Sequence, residues 1–194
     1  MRHRLIDIHT HHTRPDVISP RMEGIHPWDA EKGLAMPDFG ECDIVGETGL
    51  DYHREVDRDA QKRLFEHQLL VAEELAKPVV IHNVKATEDI LRILARHPAV
   101  HRVVFHGFIG SWQQAETIIK RGYFLSFGER SLRSAKSREV IAKMDKSRLF
   151  CETDDRPDIS IEEIYSEVAK LRNTTPEELL EEIRNNYNIL FAKY

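Results

Sequence analysis

The chain has 194 residues, of which 41% are hydrophobic and 31% charged, and its formal charge is −5 at pH 7. This length predicts one domain, over residues 1–194, with a hydrophobic core of its own. The weak negative charge excludes a broad basic surface for nucleic acid, although bound metal ions could supply positive charge locally. Neither a signal peptide nor a bilayer-spanning apolar run is found, and Cys42 and Cys151 form no paired motif. We expect a cytoplasmic protein with reduced thiols, monomeric by default.

Short apolar runs alternate with longer helical patterns from one end of the chain to the other. The run at 5–9 predicts a first strand near the N-terminus. The segment 13–43 contains Pro15, Pro20, Pro27 and Pro37, and it predicts mostly loop with a short strand over 22–25. Further strands are predicted over 43–46, 78–82, 102–106, 123–127 and 148–152, and helices over 59–76, 87–97, 112–121, 138–144, 161–171 and 176–192.

Two of the helices begin with clear capping signals. Ser160 and Glu163 have capping-box spacing, and Thr175 is followed by a proline at the first helical position and by Glu178. The helix over 59–76 should turn a continuous stripe of side chains toward the core. The members of this stripe are Leu64, Phe65, Gln68, Leu69, Ala72 and Leu75.

The alternation of strands and helices predicts an α/β fold with a parallel sheet buried on both faces. An open, doubly wound sheet and a closed barrel are both compatible with this pattern. The absence of a glycine-rich nucleotide-binding loop after any strand weakens the first of these interpretations.

Residue types that bind metals fall at the ends of the predicted strands. His9 and His11 alternate at the end of the first, so both should point to one face. Any one such histidine is more often a strand-end residue than a ligand, but the pattern recurs on strand after strand. Because the C-terminal edge of a parallel sheet is where sites form, these side chains should converge there. The later members are Glu47, His82, His106, Glu152 and Asp154.

Four histidines and two or three carboxylates can hold two divalent ions, with Glu47 as the natural bridge between them. Two such ions would lower the pKa of a shared water and clamp a tetrahedral centre, while Asp154 takes up the remaining proton as general base. The imidazoles favour Zn, Mn, Fe or Ni, whereas the carboxylates favour Mg. This chemistry is metal-assisted hydrolysis, and no serine or cysteine nucleophile motif competes with it.

Several ordered motifs extend this pattern beyond the candidate ligands. Together they resemble the TatD family of metal-dependent hydrolases. The resemblance implies a TIM-type (β/α) barrel, a metal site of His9, His11, Glu47, His82, His106 and Asp154, and hydrolysis of phosphodiesters, typically DNA. The motifs are Asp-Ile-His-Thr-His at 7–11, Gly-Ile-His-Pro-Trp at 24–28, Gly-Glu-Thr-Gly-Leu-Asp-Tyr at 46–52, Lys-Pro-Val-Val-Ile-His at 77–82, His-Gly-Phe-Ile-Gly at 106–110 and Glu-Thr-Asp at 152–154.

The chain departs from the family pattern in two places. The family usually has a helix, a strand and a second helix between its first two motifs, but here only fifteen positions separate His11 from His26. We therefore expect an incomplete or distorted barrel of about six or seven strands. The family also often has arginine two residues after the His82 position, where this chain has Val84 followed by Lys85.

Four residues are candidates for binding substrate. Lys85 can supply the phosphate contact that the missing arginine would make, unless that contact is lost. His26 should line the site, in contact with the substrate or with a metal ligand rather than with the metal itself. Arg130 and Arg133 follow a strand end and could meet phosphates as planar donors, although solvent-exposed arginines are common there.

Three functions are compatible with these residues. The leading hypothesis is a divalent-metal-dependent phosphodiesterase or deoxyribonuclease. The second is an amidohydrolase-type enzyme that cleaves a small C–N or ester bond at the same metal site. The third is a non-catalytic barrel that binds metal together with nucleic acid or a protein, which the short segment after His11 favours and the complete ligand set opposes.

Overall fold

The computed structural model describes residues 4–192, and this part of the chain contains six β-strands and seven α-helices. Its contacts divide into two compact units, one joining Met1–Pro20 to His106–Tyr194 and the other formed by Arg21–Phe105. The single domain over 1–194 stays a prediction. The strands are β1 (Met22–Glu23), β2 (Ile44–Asp51), β3 (Val79–Val84), β4 (Val103–Phe105), β5 (Phe124–Phe127) and β6 (Leu149–Cys151). The helices are α1 (Arg58–Glu74), α2 (Thr87–Leu94), α3 (Trp112–Ile119), α4 (Glu129–Arg133), α5 (Ala135–Lys143), α6 (Ile161–Arg172) and α7 (Pro176–Leu190).

The unit Arg21–Phe105 contains four parallel strands. Strands β1 to β4 pair in chain order, and each pair is parallel. Strand β3 begins with Val79, Val80 and Ile81, all fully buried. A continuous run of β-branched residues is typical of a parallel strand that is covered on both faces. The predicted α/β class with parallel strands is confirmed, and the short strand predicted over 22–25 corresponds to β1.

Helix α1 is fixed to this sheet by two fully buried glutamines, Gln61 and Gln68. The Gln68 side chain accepts a hydrogen bond from the Ile25 amide at 2.7 Å and donates to the Ile25 carbonyl at 2.9 Å and to Thr48 Oγ1 at 2.7 Å. The Gln61 side chain bonds both the amide and the carbonyl of Asp51. The helix therefore holds the loop at Ile25 and the end of β2 by polar contacts as well as by apolar packing.

We predict that Gln68→Ala lowers the free energy of unfolding by about 3 kcal/mol, because it removes three hydrogen bonds and leaves buried backbone groups without partners. Equilibrium urea unfolding measures this change. The matched control is Gln113→Ala, an exposed glutamine on helix α3, which should change stability by less than about 0.5 kcal/mol. Equal effects of the two substitutions would refute the anchoring role of Gln68.

The other unit contains the parallel pair β5 and β6 together with helices α3 to α7. Both predicted capping signals are confirmed. The Ser160 side chain accepts from the Glu163 amide at the start of α6, and the Thr175 side chain accepts from the Glu178 amide at the start of α7. Each capping side chain satisfies one of the amides that the first helical turn leaves free.

The prediction of a continuous strand over residues 5–9 is wrong. Ile6 forms an isolated parallel bridge with Ile18, Ile8 and His9 lie in a bend, and Thr10, just beyond the segment, forms a second isolated bridge with Asp154. The reason is that successive amides turn to different partners. The Asp7 amide donates to the Ile18 carbonyl at 2.9 Å, whereas the Ile8 amide donates to the Cys151 carbonyl at 3.1 Å. No ladder of consecutive pairs can form on either side.

Three smaller differences have local causes. Strand β2 continues five residues beyond the predicted end at 46, because a glycine-containing segment keeps pairing with β3 as far as Asp51. Helix α4 was not predicted, since five residues are too few for a periodic pattern. Leu75 of the predicted stripe is 39% exposed because α1 ends at Glu74. Within residues 4–192, no helix has the length and apolar character that crossing a membrane requires.

Candidate functional site

Three predicted ligands, His9, His11 and Asp154, meet in the unit that joins 1–20 to 106–194. One donor atom of each lies within 4.8 Å of the others. Asp154 Oδ1 is 3.4 Å from His9 Nε2 and 3.7 Å from His11 Nε2. Two imidazole nitrogens with one carboxylate oxygen suit a divalent transition metal, and three protein ligands leave room for water or substrate. This histidine–carboxylate cluster therefore fits a catalytic metal ion.

The backbone holds these three side chains in place. The Asp154 amide donates to the His9 carbonyl at 3.0 Å, and the His11 amide donates to the Asp154 carbonyl at 3.1 Å. Asp154 itself has a φ of 54°, in the left-handed region that aspartate tolerates better than most residues. Such conformations persist where the surroundings fix them and concentrate at functional sites.

His106 and Glu152 extend the same cluster. The ring centroids of His9 and His106 are 4.3 Å apart, and His106 Nδ1 is 3.5 Å from Glu152 Oε1. Glu152 is 1% exposed and accepts a hydrogen bond from Ser126 Oγ. Glu152 is among the residues at predicted strand ends but is not in the ligand set that the family resemblance implies. Its position two residues before Asp154, directly after β6, is the signal that could have included it.

A buried carboxyl group, Asp7, links the first segment to this cluster. Its oxygens accept hydrogen bonds from the Thr153 amide at 3.1 Å and from Thr153 Oγ1 at 2.6 Å. Burial raises the pKa of Asp7 to about 7, although both hydrogen bonds from Thr153 lower it. Asp7 therefore fixes the residue that lies between Glu152 and Asp154.

The unit Arg21–Phe105 brings together Glu47 and His82. His82 Nδ1 is 2.5 Å from Glu47 Oε1, and His82 Nε2 is 3.2 Å from Asp51 Oδ2. A neutral imidazole carries one N–H, and donating it to Asp51 leaves the Nδ1 lone pair facing Glu47. A carboxylate behind a histidine commonly orients that histidine for a metal. The pair Glu47 and His82 thus fits a second divalent ion, with Asp51 as the orienting group.

Sequence reasoning missed the role of Asp51. The residue is 3% exposed and accepts hydrogen bonds from Trp28 Nε1 at 2.7 Å and from the His53 amide at 2.9 Å. Burial raises the pKa of its carboxyl, but the bonds from Trp28, His53 and His82 outweigh burial, so the pKa lies below its usual value. Asp51 lies four positions after Glu47 on the same strand, and the period of two places both on one face.

His26 contacts the same pair, and its Nε2 is suited to donating a hydrogen bond. Its Nδ1 accepts a hydrogen bond from the Trp28 amide at 3.2 Å, so the proton of the neutral ring lies on Nε2. Nε2 is 3.2 Å from both Glu47 Oε1 and His82 Nδ1. Because one donor atom each of His26, Glu47 and His82 lies within 4.8 Å of the others, the three could hold one ion together, and the substrate contact of His26 stays a prediction.

Close approach of two strands at Gly49 sets the position of His82. Gly49 pairs with His82 across β2 and β3 and has a φ of +137°. A Cβ at this position would overlap the carbonyl oxygen of His82. Only glycine permits this register, which brings His82 beside Glu47.

The predicted phosphate-binding cations differ in their surroundings. Lys85 is exposed, and its Nζ lies 3.4 Å from His53 Nδ1. Arg130 is exposed at α4 and forms no ion pair with any residue in 4–192. Arg133 instead pairs with Glu129, which also binds Arg156 at 2.6 Å. Lys85 and Arg130 therefore remain open to a phosphate, whereas the charge of Arg133 is already balanced.

Comparison with known proteins gives consistent matches. The family model described as "TatD related DNase" matches residues 18–192. A Bacillus subtilis protein named "uncharacterized metal-dependent hydrolase YabD" is 36% identical over 143 residues, which cover 68% of this chain and 56% of the relative. A "3'-5' ssDNA/RNA exonuclease TatD" from Erwinia amylovora is 32% identical over 148 residues, which cover 68% of this chain and 56% of the relative.

A solved structure extends the match to the fold. The crystal structure of YJJV, a TatD homologue from Escherichia coli K12, superposes with a TM-score of 0.75 at 26% identity and covers 92% of this chain and 78% of that chain. This superposition confirms the predicted fold class, an incomplete TIM-type (β/α) barrel. The chain spans just over half the length of the two curated relatives described above.

Proposed function

This chain belongs to the TatD family of metal-dependent hydrolases, and on that premise we propose that it hydrolyses phosphodiester bonds in DNA. The observation that carries the proposal is the convergence of His9, His11 and Asp154 within 4.8 Å. Relatives named as a deoxyribonuclease and as a 3'-5' ssDNA/RNA exonuclease support the choice of substrate. We propose a cytoplasmic location as well, which is consistent with two buried free thiols.

Each ligand cluster accommodates one divalent ion in this proposal. His9, His11 and Asp154 would hold one ion, with His106 beside them, while Glu47 and His82 would hold the other. When bound, such ions supply Lewis-acid activation of water and of the phosphoryl group. The bridging role that the sequence predicted for Glu47 stays a prediction. The donor set favours Zn, Mn, Fe or Ni, and Mg remains compatible with the carboxylates.

The protein's own residues then have distinct tasks. The Asp154 side chain is 25% exposed, so water can reach it, and its carboxylate takes up the proton of the attacking water as general base. The Nε2–H of His26 donates to a non-bridging phosphate oxygen. Lys85 and Arg130 balance the charge of neighbouring phosphates, for which an arginine offers a planar pair of donors.

Hydrolysis of a labelled oligonucleotide tests this function. We expect turnover with added Mn²⁺, Zn²⁺ or Mg²⁺, complete loss after chelation, and recovery when the ion returns. A panel of amides, lactones and carboxylic esters, assayed with the same preparation, should stay unreacted. Cleavage of that panel with no cleavage of DNA would instead support the amidohydrolase-type function. Metal binding without turnover of any substrate would support a non-catalytic protein.

A further inference from the structure

Trp28 is an exposed aromatic side chain beside the second ligand pair, and the proposed chemistry gives it no task. It exposes 44% of its surface, and it is the aromatic member of the exposed large apolar side chains within residues 4–192. Its ring centroid is 5.9 Å from that of His82. An indole this close to a candidate metal ligand is placed to contact the substrate.

The indole is rigidly placed. Its Nε1–H donates to Asp51 Oδ2 at 2.7 Å, and its backbone amide donates to His26 Nδ1 at 3.2 Å. The His26 ring meets it edge-on, with centroids 4.4 Å apart and an interplanar angle of 73°. Proline at position 27 fixes the backbone that enters this short 3-10 turn. A fixed aromatic ring loses little conformational entropy when a ligand stacks on it.

Two arginine side chains stack on aromatic rings in this part of the unit. The Arg54 guanidinium carbon lies 4.1 Å above the centroid of Trp28, and that of Arg58 lies 4.3 Å from the centroid of Tyr52. Neither arginine forms an ion pair with a carboxylate among the residues that the structure describes, in contrast to Arg14, Arg92 and Arg156. Two guanidiniums stacked on aromatic rings, neither held in such an ion pair, can donate hydrogen bonds to an anionic ligand.

We propose that Trp28, on the ring face away from Arg54, is a stacking platform for one unpaired nucleobase of the substrate and that Arg54 contacts the phosphate next to that base. This inference rests on the proposed function. A rigid aromatic ring with an adjoining arginine is the combination by which proteins bind single-stranded nucleic acid without reading its sequence. The hydrogen bond from Trp28 to Asp51 then couples base binding to the group that orients His82.

The experiment compares two DNA probes that carry equal charge. Affinities of wild type and variants for a fluorescein-labelled hexathymidylate and for an abasic oligomer of the same length are measured by anisotropy, in chelator so that no turnover occurs. Wild type should bind hexathymidylate about tenfold more tightly than the abasic probe, as expected for stacking of a single base. Trp28→Ala should bind both probes alike, and Trp28→Phe should keep part of the preference.

Arg54→Gln tests the phosphate contact, and it should weaken the binding of both probes equally. Its matched control, Arg63→Gln, replaces an exposed arginine on α1 and should change neither affinity by more than about twofold. Intrinsic fluorescence gives a second readout, because the chain has two tryptophans. In Trp112→Phe, where Trp28 is the remaining indole, hexathymidylate should quench the emission and the abasic probe should not.

Retention of the base preference by Trp28→Ala, with unchanged circular dichroism, would overturn the inference. So would a wild-type protein that binds both probes equally. If that same preparation still cleaves DNA when metal is restored, the inference fails alone and the proposed function stands. A wild type that neither binds nor cleaves any oligonucleotide would overturn both.

Discussion

Asp154→Asn is expected to lower kcat for DNA hydrolysis by about 10³-fold, within the range of 10²- to 10⁴-fold typical of a lost general base. Asparagine keeps the shape of the side chain and one of its oxygens, but it has no basic carboxylate to accept a proton. It also removes the negative charge that faces His9 and His11 at 3.4 and 3.7 Å. The measurement is steady-state cleavage of a labelled oligonucleotide at saturating metal.

The neighbouring residue provides the control. Asp155 carries the same side chain, is 72% exposed and pairs with His12 rather than with the cluster. Asp155→Asn should therefore keep kcat within about twofold, since an exposed ion pair contributes little. Thermal unfolding of both variants shows whether any loss of rate reflects the fold. Full activity in a folded Asp154→Asn protein would remove Asp154 from the chemistry.

Loss of either ligand cluster should also abolish efficient hydrolysis. His9→Ala removes one imidazole from the cluster with Asp154, and His82→Ala removes the nitrogen that faces Glu47 at 2.5 Å. Replacing a group that only orients a ligand commonly costs 10- to 100-fold in metal affinity or activity. Replacing the ligand itself should lower kcat/KM by at least about 100-fold, and excess metal should restore only part of it.

Two other histidines serve as matched controls for these variants. His12 directly follows His11 and is 49% exposed, paired with Asp155. His67 is exposed on α1 in the same unit as His82. His12→Ala and His67→Ala should retain activity within about twofold. If all four alanine variants lost activity equally, the effect would be on folding rather than on metal binding.

The features that the sequence predicted well are local ones. The N-caps at Ser160 and Thr175 depend on residues three positions apart, so the sequence alone fixes them. The meeting of His9, His11 and Asp154 follows from their places at the ends of apolar runs, although no continuous strand carries the two histidines. Helical spacing was also sufficient to predict which side of α1 is buried, and Gln68 on that side is fully buried.

Other features depend on contacts between distant residues. Residues 5–8 read as a strand, but their backbone groups have different partners. The Leu5 carbonyl and the Asp7 amide bond Ile18, whereas Ile6 bonds the Tyr165 hydroxyl and the Ile8 amide bonds the Cys151 carbonyl. The division is a consequence of packing and leaves no trace in the local pattern. Asp51 likewise gains its role only when the indole of Trp28 and the ring of His82 meet at one of its oxygens.

Counting the metal ions bound to each chain is the most direct test of the account. Wild type, His9→Ala, His82→Ala and the two control variants are loaded with Mn²⁺, freed of excess ion and measured by inductively coupled plasma mass spectrometry. We expect two ions in wild type and in both controls, and one ion in His9→Ala and in His82→Ala. Wild-type protein that cleaves DNA with no ion bound, or two ions in all five proteins, would contradict this expectation.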